Sequence, residues 1–568
     1  MRIPVHERFA KFVPAGMAFV WICAITLAQI IFATTLTAGE GFSAFRYVGE
    51  PEKPSPESAL QAAQKKSTKA KRGTSMRPSV SAGNMYSPAA GAFGPVPTKF
   101  VSLVNAAPLL LPYVNNAPVF GVPGTVVGDF WNRTQVTGDW GGTRTELARK
   151  GFFFDAYTTT TYQNVTSGGI KTGESGYNNT QISANIDTGR AGWWSGGLLH
   201  FTAQARNGSA PDETFNVGSY VPHHYGLLLP GPELSNNIYP SDFYIAQALG
   251  PQVSVIVGKI SGLFLPDQTL FANTYKYAFT NFNFNKNPFF ANFYGPTAWA
   301  ALGVWIPAQW LVLEGGVLDP NSKGDNFAKD AFDRVNIYGQ ATFNYAPGGL
   351  PGQLSVAGNW TNKPKIDLQS PFTLTFPSQL SQGLALLTTN TLTQTLPTAT
   401  SAPAGLPAIS INYKGESWFS IANFSQYLYV MDDPREIAPL LKSGQLLRGV
   451  GVFGRFGYSP AETNIVDRHA SIGLFAHGLL DTRKYDSFGV AYYYNGISSD
   501  LKNTVSRLTS GGLTIEDEKG IEVFYDFAVT PAIRLIPSYQ HIWNPLLAQV
   551  QSRANHADVF LTRATIAW

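Results

Sequence analysis

Leu199-His-Phe-Thr-Ala-Gln-Ala-Arg206 places Leu199, Phe201, Ala203 and Ala205 on one side of an extended chain and His200, Thr202, Gln204 and Arg206 on the other. Successive side chains of a strand point to opposite faces, so this segment reads as a strand with one apolar face and one polar face. The pattern recurs downstream. Val335, Ile337, Ala341, Phe343 and Tyr345 oppose Asn336, Gln340, Thr342 and Asn344, and Ile521, Val523, Tyr525, Phe527 and Val529 oppose Glu522 and Asp526. A sheet standing between lipid and water needs this division, but so does each sheet of a sandwich. Alternation therefore sets the element type and leaves two architectures open.

Three features favour an all-β, transmembrane antiparallel β-barrel. The strand candidates are close to the length of about nine to eleven residues that a tilted membrane strand needs. Their apolar faces carry Phe, Tyr and Trp near the strand ends, as membrane aromatic girdles do. Ala557 to Trp568 puts Phe560, Ala564 and Ile566 on one face, opposite Arg563 and Thr565, and ends on an aromatic residue. An open sheet edge cannot stay unpaired in lipid, so this strand is expected to close against one beginning near Phe152. The pattern yields about 17 strand candidates, whereas bacterial single-chain barrels have even numbers, so one candidate is expected to be no wall strand or to fold inside the lumen. The weakest candidates are the pair flanking Gly250-Pro251 and the run Trp418 to Val430. Pro307-Ala308, Gly348-Gly349 and Thr530-Pro531 read as tight turns, and Lys363 to Gly405 as the longest loop.

Composition agrees with a membrane wall: 13% aromatic and 14% charged residues is aromatic-rich and charge-poor for a water-soluble surface. The net charge of +4 gives no reason to expect a nucleic-acid partner. Arg2, Arg8 and Lys11 precede the apolar run Phe12 to Ala33, so residues 1–38 read as a signal peptide; a run of this length also suffices as an uncleaved anchor. The single cysteine, Cys23, lies inside that run. Residues 39–130 show no sustained hydrophobic period and are dense in Pro, Ser, Ala and Gly, which describes a disordered linker. Residues 131–568 form the expected barrel domain.

Between linker and first strand stands Thr137-Gly-Asp-Trp-Gly-Gly-Thr-Arg144. Gly138, Asp139, Trp140, Gly141 and Gly142 form a turn cluster, Thr143 to Lys150 a short helix with Thr143 as its expected N-cap, and Gly151 its stop. Phe152 to Tyr162 follows as a strand rich in aromatic and β-branched residues. The pattern Thr-Gly-Asp-Trp-Gly-Gly-x-Arg-x-x-Leu-x-x-x-Gly resembles the motif that opens the OprB-type carbohydrate-selective porins of Gram-negative outer membranes. Pro531 to Pro545, which ends in Pro-Ser-Tyr-Gln-His-Ile-Trp-Asn-Pro, resembles that family's penultimate strand region. The resemblance implies a barrel of about 16 strands acting as a passive, sugar-preferring channel without cofactor, in contact with outer-membrane lipid and with the assembly machinery that reads a terminal aromatic. Both a monomer and a homotrimer are compatible with it.

Phe264 to Tyr294 differs from its neighbours. It interleaves Phe271, Tyr275, Tyr277, Phe279, Phe282, Phe284, Phe289, Phe290 and Tyr294 with Asn273, Asn281, Asn283, Asn285, Asn287 and Asn292, punctuated by Lys276 and Lys286. So many exposed rings would make an adhesive surface, and the asparagines would be costly in hydrocarbon. The segment is therefore expected to fold into the lumen, with rings on the wall and the amides of Asn281 and Asn283 facing the water column, beside Tyr275 and Tyr277 as stacking surfaces for sugars. Arg206, Arg455 and Arg563 fall on polar strand faces, and Arg144 follows the motif; all four are candidates for the pore lining, where guanidinium groups would donate to hydroxyls and disfavour cations. Gly449-Val-Gly-Val-Phe-Gly454 satisfies a dinucleotide-binding pattern but runs on into a strand, so it reads as small residues on the wall. His223, His224, His469 and His477 lack ligand spacing with acidic clusters, and neither a nucleophile elbow nor a phosphate loop occurs, so no metal and no catalysis are expected. An envelope-anchoring barrel and a lipid-active barrel hydrolase are the alternatives from other functional classes.

Overall fold

The computed structural model describes residues 126–208, 216–228, 238–250, 252–260, 267–272, 276–295, 297–308, 310–321, 332–369, 412–437 and 446–568. The expected signal peptide, nearly all of the linker, most of the loop from Lys363 to Gly405, and Tyr275 lie outside these residues. The wall consists of β1 (Phe152–Gly168), β2 (Gly173–Asp187), β3 (Gly197–Gly208), β4 (Ile238–Ala248), β5 (Val253–Ile260), β6 (Ala298–Ala308), β7 (Leu311–Leu318), β8 (Asn336–Tyr345), β9 (Gly352–Thr361), β12 (Ser417–Val430), β13 (Gly449–Tyr458), β14 (Val466–His477), β15 (Ser487–Ile497), β16 (Glu518–Thr530), β17 (Ile533–Trp543) and β18 (His556–Ala567). These sixteen strands form one closed barrel, each hydrogen-bonded to its sequence neighbours in the wall. The two-residue strands β10 (Lys365–Ile366) and β11 (Tyr413–Lys414) pair separately, between β9 and β12.

Closure runs through β1 and β18, which pair antiparallel from Tyr157↔Ala567 to Gly168↔Ala557. The Trp568 N–H extends the ladder by donating to the Ala156 carbonyl at 3.0 Å. Both weak candidates are wall strands: β4 and β5 flank Gly250-Pro251, and β12 pairs along its length with β9 and β13. The apolar inward residues Phe419, Ile421 and Tyr427 made β12 read as double-faced, because part of the lumen is packed with protein.

Burial follows the predicted alternation. On β16, Tyr525, Phe527 and Val529 are exposed on the outer face, while Glu522, Phe524 and Asp526 are buried inside. On β18, Phe560 is exposed and Arg563 and Thr565 are fully buried. Exposed Phe154, Trp193, Trp194, Trp305, Trp310 and Trp568 cluster at the barrel end that carries both termini of the wall, and Tyr458, Tyr492, Trp543 and Phe560 toward the other, as two girdles. The connections at the first end include three tight turns: β6–β7, β8–β9 and β16–β17. The last of these uses Thr530, whose hydroxyl accepts from the Ala532 and Ile533 N–H groups at 3.2 and 3.1 Å.

Ahead of β1 lies α1 (Thr143–Arg149). Thr143 is its first residue and not its cap. Gly142 precedes it at φ 97°, and this left-handed turn swings Asp139 under the helix start, where its Oδ1 accepts from the Thr145 N–H at 2.8 Å and hydroxyl at 2.7 Å. Asp139 thus does the capping from outside the expected register.

Candidate functional site

Of the connection between β5 and β6, residues 267–272 and 276–295 lie in the lumen. Two short helices shape it, α2 (Phe282–Asn285) and α3 (Phe289–Phe293). Asn281 caps α2, its Oδ1 accepting from the Asn283 N–H at 3.0 Å. Across the lumen the inward face of β16 presents Glu522, which accepts from the Thr280 N–H and hydroxyl at 2.8 and 2.7 Å and from the Asn281 N–H at 2.9 Å. Asn281 Nδ2 donates to Gln540 of β17 at 3.1 Å, and Asn495 of β15 donates to Asn283 Oδ1 at 3.0 Å. Asn281 and Asn283 are 1% and 0% exposed. The expectation that their amides face the water column is therefore corrected: buried amides need partners for donor and acceptor alike, and these find them in each other and in Gln540 and Asn495 of the wall.

Rings and one ion pair complete the attachment. Phe279, Phe282, Phe284, Phe289 and Phe290 are all buried, and at roughly 1.5–3 kcal/mol each their burial contributes on the order of 10 kcal/mol to holding the loop inside. Phe279 packs edge-on against Phe524 of β16 at 4.8 Å, and Phe293 against Phe419 of β12 at 4.8 Å. Gly451 and Gly457 of β13 make room: a Cβ at Gly451 would lie 2.1 Å from Phe271 Cζ, and one at Gly457 2.5 Å from Phe289 Cε2. Arg455, also on β13, is fully buried and donates to Asp267 Oδ2 at 3.2 Å, to the Ala272 and Asn285 carbonyls at 2.7 and 3.1 Å, and to the Phe284 carbonyl. This arginine clamps the loop. It spends its guanidinium on the chain and not on the solute path.

A second inward segment, residues 216–228 between β3 and β4, supports the first. The Tyr225 N–H donates to the Thr280 carbonyl at 2.8 Å, the Phe282 N–H to the Pro222 carbonyl at 3.2 Å, and Gln540 to the His223 carbonyl at 3.0 Å. His223 pairs with Gln163 at 2.9 Å and His224 with Tyr177 at 2.5 Å. These histidines join loop to wall, and among the described residues no group of three or more potential ligands could hold a metal.

Where loop and wall meet near β1 the side chains are charged. Lys276 Nζ lies 4.2 Å above the Tyr157 ring and donates to Gln181 Oε1 at 2.7 Å. Half-buried Tyr277 stands between Tyr157, with ring centroids 6.3 Å apart, and the Arg534 guanidinium, 5.7 Å from its ring. Arg534 of β17 in turn donates to Asp526 at 2.9 and 2.5 Å. Burial pushes the ammonium groups of Lys276 and Lys286 down, each to about 7, against the pull of Asp155 and Asp242 on the first and of Asp267 and Glu314 on the second. Arg206 and Arg563 point inward from β3 and β18 and are buried; Arg563 is an electrostatic neighbour of Glu522 and Asp526. The partners Glu522, Asp267, Gln540 and Arg534 escaped the sequence reading, although Glu522 and Asp526 showed as isolated acids on an otherwise apolar strand.

Arg144 lies elsewhere. Its guanidinium sits 4.0 Å above the Trp140 ring and donates to the Gly138 carbonyl at 2.7 Å, Thr137 Oγ1 at 2.9 Å and the Trp568 carbonyl at 3.2 Å. The Val136 N–H donates to the Ala567 carbonyl at 2.8 Å. Trp140 and Gly141 hold φ of 51° and 67°, folding Thr137 to Gly142 into a compact turn around this arginine. The motif thus grips the end of β18, at the seam of the barrel.

Comparison with known proteins agrees with this architecture. The chain matches the carbohydrate-selective porin, OprB family, over residues 173–566. Among solved structures it is similar to Pseudomonas putida OprB in a high-pH form, at 17% identity and TM-score 0.61, covering 78% of this chain and 100% of that one. The low-pH form of the same protein aligns at 14% identity and TM-score 0.45, covering 77% and 99%, and a loop L8 deletion mutant of Vibrio cholerae OmpT at 10% and 0.39, covering 74% and 100%. No curated protein sequence matches. The family match takes in the wall from β2 to β18 and the inward loop with its anchors, so this chain belongs to the OprB family of carbohydrate-selective porins.

Proposed function

We propose that the loop between β5 and β6 is the element that makes this channel prefer sugars. The protein is an outer-membrane β-barrel channel of a carbohydrate porin family, and its chemistry is passage, not turnover. The observation that carries the finer reading is the attachment of the loop: residues 276–295 are fastened to β13, β15, β16 and β17 by side chains on the inner wall. A partition fixed this way narrows the lumen without moving. Beside it, Tyr277, Lys276 and Arg534 bring an aromatic ring and two cationic donors together, which suits the C–H face and hydroxyl belt of a pyranose. Contacts of this kind are weak enough individually to release the solute, as conduction requires. In this reading the tight turns face the periplasm and the inward loops descend from the outer mouth.

The test is uptake by proteoliposomes carrying the purified protein, with a mono-, a di- and a trisaccharide and an amino acid of similar size. Saturable uptake that falls with sugar length and exceeds that of the amino acid is expected. Swelling rates set by size alone would reduce the protein to a general diffusion pore.

A further inference from the structure

Asp155 is an inward-facing residue of β1 next to the seam, and no side-chain hydrogen bond ties it to loop or wall. It is 1% exposed, no side chain hydrogen-bonds either carboxylate oxygen, and the one donor turned toward them is the Ala156 N–H. An isolated buried carboxylate is expensive, and a protein keeps one only where nearby charge compensates it. Two cations act on Asp155 from different directions, Lys276 from the inward loop and Arg144 from the N-terminal motif.

The surrounding geometry fixes both. Lys276 Nζ is held over Tyr157, two residues along β1, and by Gln181, which is the cross-strand partner of Tyr157. The Lys276 carbonyl accepts from Thr565 of β18 at 3.0 Å. Arg144 reaches the Trp568 carbonyl, whose own N–H donates to Ala156, the residue after Asp155. Motif and first strand, adjacent in sequence, thus meet at one point a loop lysine more than a hundred positions away.

We propose that Asp155 is a positioning residue for selectivity: its charge holds Lys276, and with it the start of the constricting loop, against β1 and offsets one of the two cations there. The inference rests on the reading of that loop as the constriction. Without the carboxylate, Lys276 keeps Asp242 and Arg144 keeps Asp139 as acidic neighbours, and both lose the one they share. The loop start then shifts, and the field at this point becomes more positive.

Asp155→Asn tests this cleanly, because it keeps the shape and, with no side-chain hydrogen bond to lose, removes the charge alone. The full chain, refolded and shown to be heat-modifiable on gels, is measured in planar bilayers under a KCl gradient and then with a disaccharide added to block the ion current. Asp155→Asn should move the reversal potential toward chloride and raise the half-blocking sugar concentration about threefold or more. Asp155→Glu should restore both in large part. Asp155→Asn combined with Lys276→Met should lie closer to wild type than Asp155→Asn alone. An unchanged reversal potential in folded Asp155→Asn, or an Asp155→Glu variant no better than Asp155→Asn, overturns the proposal. If the wild-type current shows no sugar block at all, the constriction reading fails, while the reversal potentials still decide the role of Asp155.

Discussion

Asp267 has both carboxylate oxygens committed: Oδ2 accepts from Arg455 Nε at 3.2 Å and from the Asn287 N–H at 2.5 Å, and Oδ1 from Asn423 of β12 at 2.9 Å. Neither side chain of the Asp267–Arg455 pair has any exposure. Burying two charges costs more than their attraction returns unless further hydrogen bonds satisfy them, and here five carbonyl and side-chain partners do so. Removing one partner leaves the other charge stranded. Asp267→Asn should accordingly destabilise the loop by roughly 3–5 kcal/mol, seen as increased current noise and a lower temperature for loss of the compact gel band. Combining it with Arg455→Met should cost less than the two single changes added together; strict additivity would show that the pair does not act as a unit.

The inward loop shows, at the scale of an element, what was legible in the sequence. Its inward fold follows from residues 264–294 alone, since rings and amides in such density fit neither water nor lipid. The orientation of those amides does not, because the groups that bind them lie 259 and 212 positions away, at Gln540 and Asn495. Local pattern suggests Asn281 as a solute contact; the fold makes it a helix cap and a wall anchor. The glycine run of β13 was read correctly as wall, yet the ring that Gly451 admits, Phe271, belongs to the distant inward loop. Asn281→Ala removes the cap and the Gln540 bond together. It should loosen α2 by about 1–2 kcal/mol and raise single-channel conductance, with protease cleavage within residues 276–285 as an independent readout. Unaltered conductance and cleavage would show that Glu522 and the phenylalanine contacts hold the loop without it.

For the whole molecule the decisive contact is the seam. The barrel has no edge only because β18 closes on β1, and in lipid each unpaired backbone group would cost several kcal/mol. The period-two pattern and the aromatic ending of Ala557 to Trp568 made that strand legible, and Phe152 to Tyr162 announced its partner. The clasp outside the ladder was not legible, since a capped helix after a glycine turn looks the same whether or not it grips anything. The structure ties Val136 and Arg144 to the Ala567 and Trp568 carbonyls, so the motif and the last strand act at one place. Both edges of the break would face hydrocarbon if either failed. Deleting Ala557 to Trp568 leaves one edge of β17 and one edge of β1 unpaired and should abolish the heat-modifiable, protease-resistant form altogether. Arg144→Ala leaves the ladder intact and removes only the side-chain half of the clasp. It should therefore permit assembly but lower the temperature at which the folded band is lost, by the equivalent of about 1–3 kcal/mol. A truncated chain that still ran as a folded, protease-resistant barrel would mean that another pairing closes the wall, and the register from Tyr157↔Ala567 onward would no longer account for its stability.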